Sequence, residues 1–493
     1  MQLNRFILIA LTILAGCNNR PGGTGTIDIT ESMLRDKIRG GIIGQFFGNL
    51  NGLEHENRYT NDPGNVTEYT PDLSGGAFAD DDTDIEFVYI CHMLESGRMI
   101  LPYDTICILW KEHISDRIWC SNRYARNLMG IGIEPPYTGR IALNPWAGFN
   151  ISGQFLCEQF GLISPGMPRT AARIGTHYTH VAVDGEPVQA TQLYDAMIAA
   201  AFFEVDIMEV IRAGLASVDP RSEIHGIVSQ VVAWYREHPD DWGKTRLSIK
   251  ESYWNGAFTG PGGTNGYRVI TAATIASLLH GRGDFAESLR LAFNFGWDAD
   301  NVAAMVGTVT GILKGEKWIR DQGWRIGDIY TNDRRPGLPS EMTITEFADM
   351  HLRLAERNIL EQGGDIIDIN REKGYRIRRE KTSCIETLPD PLHRYGELKE
   401  EWLPLIEAGL TGDSLEQIRS VYMAVCLGIA DEIGQNRKEE WTAALRVFEP
   451  QYGTFFEDET WSPEARKYFY EAVKLGNTRI AAPFDFNPGV SLR

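Results

Sequence analysis

The stretch GWDADNVAAMVGTVTGILKG, residues 296–315, opens on two carboxylates and continues with small and apolar residues almost to its end. Asp298 and Asp300 stand at the start, with Asn301 beside them. The uncharged, Gly- and Ala-rich remainder predicts a buried helix. Carboxylates at a helix N-terminus are favoured by its dipole and present their oxygens outward. A second acidic run stands in GAFADDDTDIEFV, residues 75–87, which holds Asp80, Asp81, Asp82, Asp84 and Glu86. The apolar spacing of IEFVYICHML predicts another buried helix behind it. Two helix starts dressed with aspartates repel each other unless a cation lies between them. Hard divalent ions with oxygen ligands suit such a pair, so Mg²⁺, Mn²⁺ or Ca²⁺ is expected rather than zinc. A single calcium loop on Asp80, Asp82 and Asp84 is excluded, because Ile85 and Cys91 stand where that loop needs Gly and Glu.

Upstream, MLRDKIRGGIIGQFFGNLNG (33–52) places Gly40, Gly44, Gly48 and Gly52 on one helical face. Glycine weakens a helix, so a stripe of it implies close approach of another backbone. A membrane dimer stripe is excluded by Arg35, Asp36, Lys37 and Arg39 alongside. Further helix is expected over 100–135, over 191–218, over 222–238, and in two parts of 266–296 around a turn at Gly281–Gly283. Residues 136–175, with their Pro, Gly and aromatics, read as a long irregular segment. Strand signals are scarce. The best is DIIDINREKGYRIRRE (365–380), a hairpin with Lys373-Gly374 at its centre. After Pro391 the pattern is helical again. The fold class is therefore all-α, with a helical core over 28–340, a small β-hairpin, and a helical C-terminal region over 341–493.

The N-terminus reads as a leader. MQLNRFILIALTILAGC has Arg5, a short apolar run from Phe6 to Leu14, and Leu14-Ala15-Gly16-Cys17, which resembles a bacterial lipoprotein box. Residues 1–17 are expected to be a signal peptide ending at a lipid-modified Cys17, and 18–27 a flexible tether. An exported lipoprotein on the periplasmic face or cell surface follows, touching the membrane only through its lipid. The formal net charge of −19 argues against nucleic-acid binding, which needs a basic face. GYRIRREK (374–381), the best local basic patch, reads as a solvated strand or loop. Cys91, Cys107, Cys120, Cys157, Cys384 and Cys426 lack paired CxxC spacing and are expected to be buried free thiols.

Taken in order, GQFFGNLNGLEHE, ADDDTDIEF and GWDADNVAAMVGTVTGILKG resemble the three signature regions of ADP-ribosylglycohydrolases. The resemblance covers about residues 33–315. It implies an all-helical fold, a binuclear magnesium site, and hydrolysis at the anomeric carbon of a ribose. It places metal ligands on Asp80, Asp81, Asp82, Asp298, Asp300 and Asn301, and an acid or base on Glu56. Asn49 falls where the family has an Asp, and His180 matches a Thr-His segment, so both are candidate substrate contacts. Trp146, in the irregular segment, is a candidate for stacking on a sugar or base. Asp80 and Asn301 replace two threonine ligands, which leaves two Mg²⁺ (or Mn²⁺) ions or a single one. The implied activity is divalent-metal-dependent hydrolysis of a ribosyl or other furanosyl bond. The alternatives are hydrolysis of ADP-ribosyl adducts, or a catalytically quiet sugar-binding lipoprotein.

Overall fold

The computed structural model describes residues 25–451 and 454–455. Cys17 and the leader lie outside the described residues, as does most of the chain after 451. At the centre of the fold, the helix Glu31–Gly52 is pressed lengthwise against the helix Ala299–Lys314. A Cβ added at Gly44 would stand 2.0 Å from the carbonyl oxygen of Gly307, and one at Gly48 1.9 Å from that of Ala303. Gly307 and Gly311 return the same close approach on Gly44 and Gly40. The glycine stripe is thus the contact line of two backbones, and it sets Gly52 against the backbone of Asp300.

The helix Asp81–Ser96 starts at Asp80 with a capping box to Thr83 and ends at Gly97, whose φ of 67° stops the helix. It is buried from Asp82 to Cys91 without a break, as its apolar sequence predicts. Further helices, Phe285–Phe295, Tyr267–Gly281 and the pair Pro168–Thr179 and Glu186–Ala201, pack around this centre. The region expected as one helix over 191–218 is two, because Asp206 caps a separate helix, Ile207–Leu215, by accepting from the Met208 N–H. The irregular segment ends earlier than expected, where Pro168 opens its helix.

Strands are few. The hairpin is Asp365–Ile369 with Glu372–Arg378, and its turn is Asn370-Arg371 rather than Lys373-Gly374. Both turn residues have positive φ, 54° and 70°, as a two-residue hairpin turn demands. Thr26–Thr30 adds as a third strand against Glu372–Arg378, so the expected tether is ordered in its last residues. The basic patch is a neutralised strand end: Arg376 bonds Asp28 at 2.8 and 2.9 Å, and Arg379 bonds Glu204 at 2.7 Å.

Residue 341 is no boundary of the core. The helix Ile344–Glu361 puts Phe347 between Phe46, Phe87 and Tyr330, with ring centroids 5.0–5.6 Å apart. One hydrophobic cluster runs from Ile29 to Phe455. Of the six described cysteines, Cys91, Cys107, Cys157 and Cys426 are buried free thiols, and Cys120 and Cys384 are only partly buried. Among the described residues, no helix is long and apolar enough to cross a membrane.

Candidate metal centre

Three chain segments meet at one end of the glycine contact. The Glu31–Gly52 helix brings Asn49 and, just past its end, Glu56. The start of Asp81–Ser96 brings Asp80, Asp81 and Asp82. The start of Ala299–Lys314 brings Asp298, Asp300 and Asn301. All seven expected ligand and acid positions, Glu56 included, come together here, although more than 200 residues separate the first from the last.

Their carboxylate oxygens form two overlapping sets. Glu56, Asp298 and Asp300 offer atoms within 4.8 Å of one another, and so do Asp80, Asp82 and Asp300. Asp300 belongs to both. Asp80, Asp82 and Asp300 are buried, Asp298 is half-buried, and Glu56 is exposed at the rim. Burial and mutual repulsion show in the acidities. Asp82 is raised well above the ordinary carboxylate range by desolvation and by the charges of Asp300, Asp81 and Asp80. Asp298 and Asp300 are raised for the same two reasons. Desolvation, with the neighbouring Asp80, pushes Asp81 up to about 6. Glu56 is raised by partial burial and then by Asp80.

A divalent cation fits this donor set. The ligands are hard oxygens, and the buried Asp300 has Oδ1 with no hydrogen-bond partner. A buried carboxylate oxygen without a donor is costly, and a cation satisfies it.

Asn49 is in the site, but it faces acids. Its Nδ2 donates to Asp80 Oδ2 at 3.1 Å and to Asp82 Oδ2 at 3.0 Å. Asn301 Nδ2 donates to Asp82 Oδ1 at 3.3 Å. Glu54, the neighbour that could compete with Glu56, turns away to His55 at 3.3 Å.

Two expected contacts are placed elsewhere. Trp146 is a core residue, 1% exposed and tilted against Phe149, so a bound sugar meets no face of its ring. His180 is buried, with Nε2 at 2.8 Å from Glu386. It belongs to a second polar cluster with Asp184 and Glu386, in which Arg394 bonds Asp184 at 2.7 Å and Arg140 lies 3.6 Å from it.

The sequence reading missed Arg334 and Arg335, which come from the loop after Asn332. Arg334 Nη2 donates to Asp80 Oδ1 at 2.8 Å, and its Nη1 lies 3.5 Å from Asp81. Arg335 is wholly buried and pairs with Asp84 at 2.8 Å. Asn332 knots the loop, accepting from the Arg335 N–H and donating to the carbonyls of Arg335 and Pro339. An Arg-Arg pair in a loop is a usual surface feature. Only the excess of acids over cations at the two helix starts hints that a distant arginine joins them.

The ADP-ribosylglycohydrolase family model matches residues 30–355. No curated protein matches the chain. Among solved structures, an ADP-ribosylglycohydrolase-related protein complex is similar at 18% identity and a TM-score of 0.42, over 66% of this chain and 99% of that one. The family match takes in all three site segments and the Arg334 loop: this chain belongs to the ADP-ribosylglycohydrolase family.

Proposed function

We propose that this chain is a divalent-metal-dependent glycoside hydrolase that cleaves a ribosyl or other furanosyl bond at the anomeric carbon. The observation that carries the reading is the meeting of Glu56 with Asp298 and Asp300, around a buried Asp300 oxygen that has no donor. Asp298 and Asp300 would hold the ion, Mg²⁺ or Mn²⁺ by their oxygen chemistry. When bound, such an ion orients a sugar's hydroxyls and stabilises developing charge.

The chain's own residues supply the proton chemistry. Glu56 lies at the exposed rim, and its raised pKa, from partial burial and the nearby Asp80, lets it keep a proton closer to neutral pH than an ordinary carboxylate does. A carboxyl so placed can give a proton to a leaving aglycone or take one from the attacking water. The Met1–Cys17 leader supports an exported, lipid-anchored setting, in which the substrate is an extracytoplasmic furanoside. Hydrolysis of ADP-ribosyl adducts is the second reading, favoured by the family match.

The test is turnover of chromogenic furanosides beside ADP-ribosyl-arginine and ADP-ribosyl-serine, with EDTA controls. The expected result is release from a furanoside, lost with EDTA and restored by Mg²⁺ or Mn²⁺. Release only from an ADP-ribosyl substrate establishes the second reading. Silence on every substrate overturns both in favour of a sugar-binding protein.

A further inference from the structure

We infer that the centre takes one divalent cation per chain, at the Glu56, Asp298 and Asp300 end, and that Arg334 and Asn49 occupy the second cation position at the Asp80 and Asp82 end. The inference rests on the proposal that the centre binds a divalent metal, and it adds where and how many.

The carboxylate geometry offers two cation positions that share Asp300. They differ in what already faces them. At the Asp80 and Asp82 end, each of the four carboxylate oxygens accepts from a protein N–H. Asp80 Oδ1 accepts from Arg334 and Oδ2 from Asn49, while Asp82 Oδ2 accepts from Asn49 and Oδ1 from Asn301. The Asn49 amide bridges the two acids as a cation would, and an amide turned the other way would set its oxygen against both carboxylates. Arg334 adds a full positive charge on the same two-residue lip, within 3.5 Å of Asp81 as well. Its side chain is 18% exposed and held in place by a loop knotted at Asn332 and by the buried Arg335 beside it.

At the other end Asn57 Nδ2 donates to Glu56 Oε1 at 2.9 Å on the exposed rim, but among the described residues no side-chain or backbone N–H donates to the Asp298 or Asp300 carboxylate. Asp300 Oδ1 is buried without a partner, in a residue only 5% exposed. No arginine, lysine or histidine pairs with Asp298, Asp300 or Glu56 among the described ion pairs. A buried acid without a counter-charge is the end that gains most from a cation, whereas an ion at the Asp80 end must displace a guanidinium and two amides.

The experiment titrates the metal-free full chain with Mn²⁺ and reads stoichiometry by elemental analysis and spin coupling by electron paramagnetic resonance. Wild type is expected to bind one Mn²⁺ with the spectrum of an isolated ion. Asn49→Asp with Arg334→Gln is expected to bind two, with a spectrum broadened by coupling. If that variant is poorly folded by circular dichroism, the single changes decide the matter: Asp298→Asn weakens Mn²⁺ binding at least tenfold, and Asp80→Asn less than threefold. Two coupled ions in wild type overturn the inference and leave the metal reading standing. The same holds for a well-folded double variant that stays at one ion, or for the reverse order of the single changes. No bound Mn²⁺ in wild type overturns the metal reading itself.

Discussion

At the scale of single residues, the acids at the start of Asp81–Ser96 divide by what they meet. Asp84 faces Arg335 at 2.8 Å, and neither side chain is exposed. Even so, desolvation, which outweighs the arginine, pushes Asp84 up to about 7. Removing the arginine leaves a buried carboxylate alone, which costs about 3–5 kcal/mol. Arg335→Met is expected to lose that much in urea denaturation, and Asp84→Asn added to it should recover a good part; equal losses in both would mean the pair is not the cause. Glu56 is the other test at this scale. Glu56→Gln keeps shape but cannot carry the proton, so turnover on the substrate found active should fall at least about a hundredfold. Mn²⁺ stoichiometry should be unchanged, because Asp298 and Asp300 remain. A Glu56→Gln enzyme as fast as wild type removes Glu56 from the chemistry. The acids themselves were legible in the sequence, since crowded carboxylates before apolar helices need a partner. Which of them meets an arginine was not: Arg335 lies 251 residues from Asp84 and carries no local signal.

At the scale of elements, the glycine stripe was the most legible feature, because period-four glycines have one common cause in a helix flanked by charges. The structure supplies the partner, Gly307 and Gly311 on the helix Ala299–Lys314. A methyl group at Gly48 would meet the Ala303 carbonyl oxygen at 1.9 Å and its carbon at 2.3 Å, and neither backbone can yield without parting the helices. Gly48→Ala is expected to lose about 3 kcal/mol and to weaken Mn²⁺ binding, since Asn49 and Asp300 ride on the separated helices. Gly226→Ala is the control. Gly226 sits exposed in the helix Glu223–Glu237 with nothing within 4 Å of an added Cβ, so the change should gain about 0.5–1 kcal/mol. Thermal melts of both variants check the pair, and a loss at Gly226 equal to that at Gly48 would show ordinary helix propensity at work. The hairpin was legible in kind but not in register. Lys373-Gly374 looks like a turn, yet Gly374 lies in the middle of a three-stranded sheet, opposite Thr30 and Ile367. The strand Thr26–Thr30, far away in the chain, settles the pairing that local sequence leaves open.

At the scale of the whole molecule, the region after residue 380 is tied to the core by polar clasps that no motif marks. The Tyr422 hydroxyl meets Tyr124, and Tyr137 packs edge-on against Trp402 with centroids 5.2 Å apart. Glu386 reaches His180, its carbonyl accepts from Gln189 and Gln192, and Arg394 reaches Asp184. His180 was legible as a functional candidate only through the resemblance, and the fold uses it as one of these clasps. That use makes the clasp sensitive to pH. Burial opposes the charge on His180, but the hydrogen bond and charge of Glu386, with Asp184 behind, more than reverse this and raise its pKa above 6.5. Burial likewise opposes the charge on Glu386, and His180 outweighs it to hold the carboxyl below its ordinary 4.5. A raised histidine adds stability that is complete below about pH 6.5 and fades as pH climbs through the raised value. A lowered glutamate adds stability that is present above about 4.5 and is lost as pH falls through the lowered value. The pair is therefore at full strength between about pH 4.5 and 6.5. Asp184, raised by burial, also titrates near this cluster, so wild type alone does not isolate the pair. Glu386→Gln does, because it leaves Asp184 with Arg394 and Arg140. Urea denaturation from pH 5 to 9 should show wild type more stable than Glu386→Gln by roughly 1–2 kcal/mol at pH 6, with the gap closing as the pH rises. A gap that stays constant to pH 9 would mean that His180 carries no charge in the fold and that the clasp is held by the backbone bonds of Gln189 and Gln192 instead.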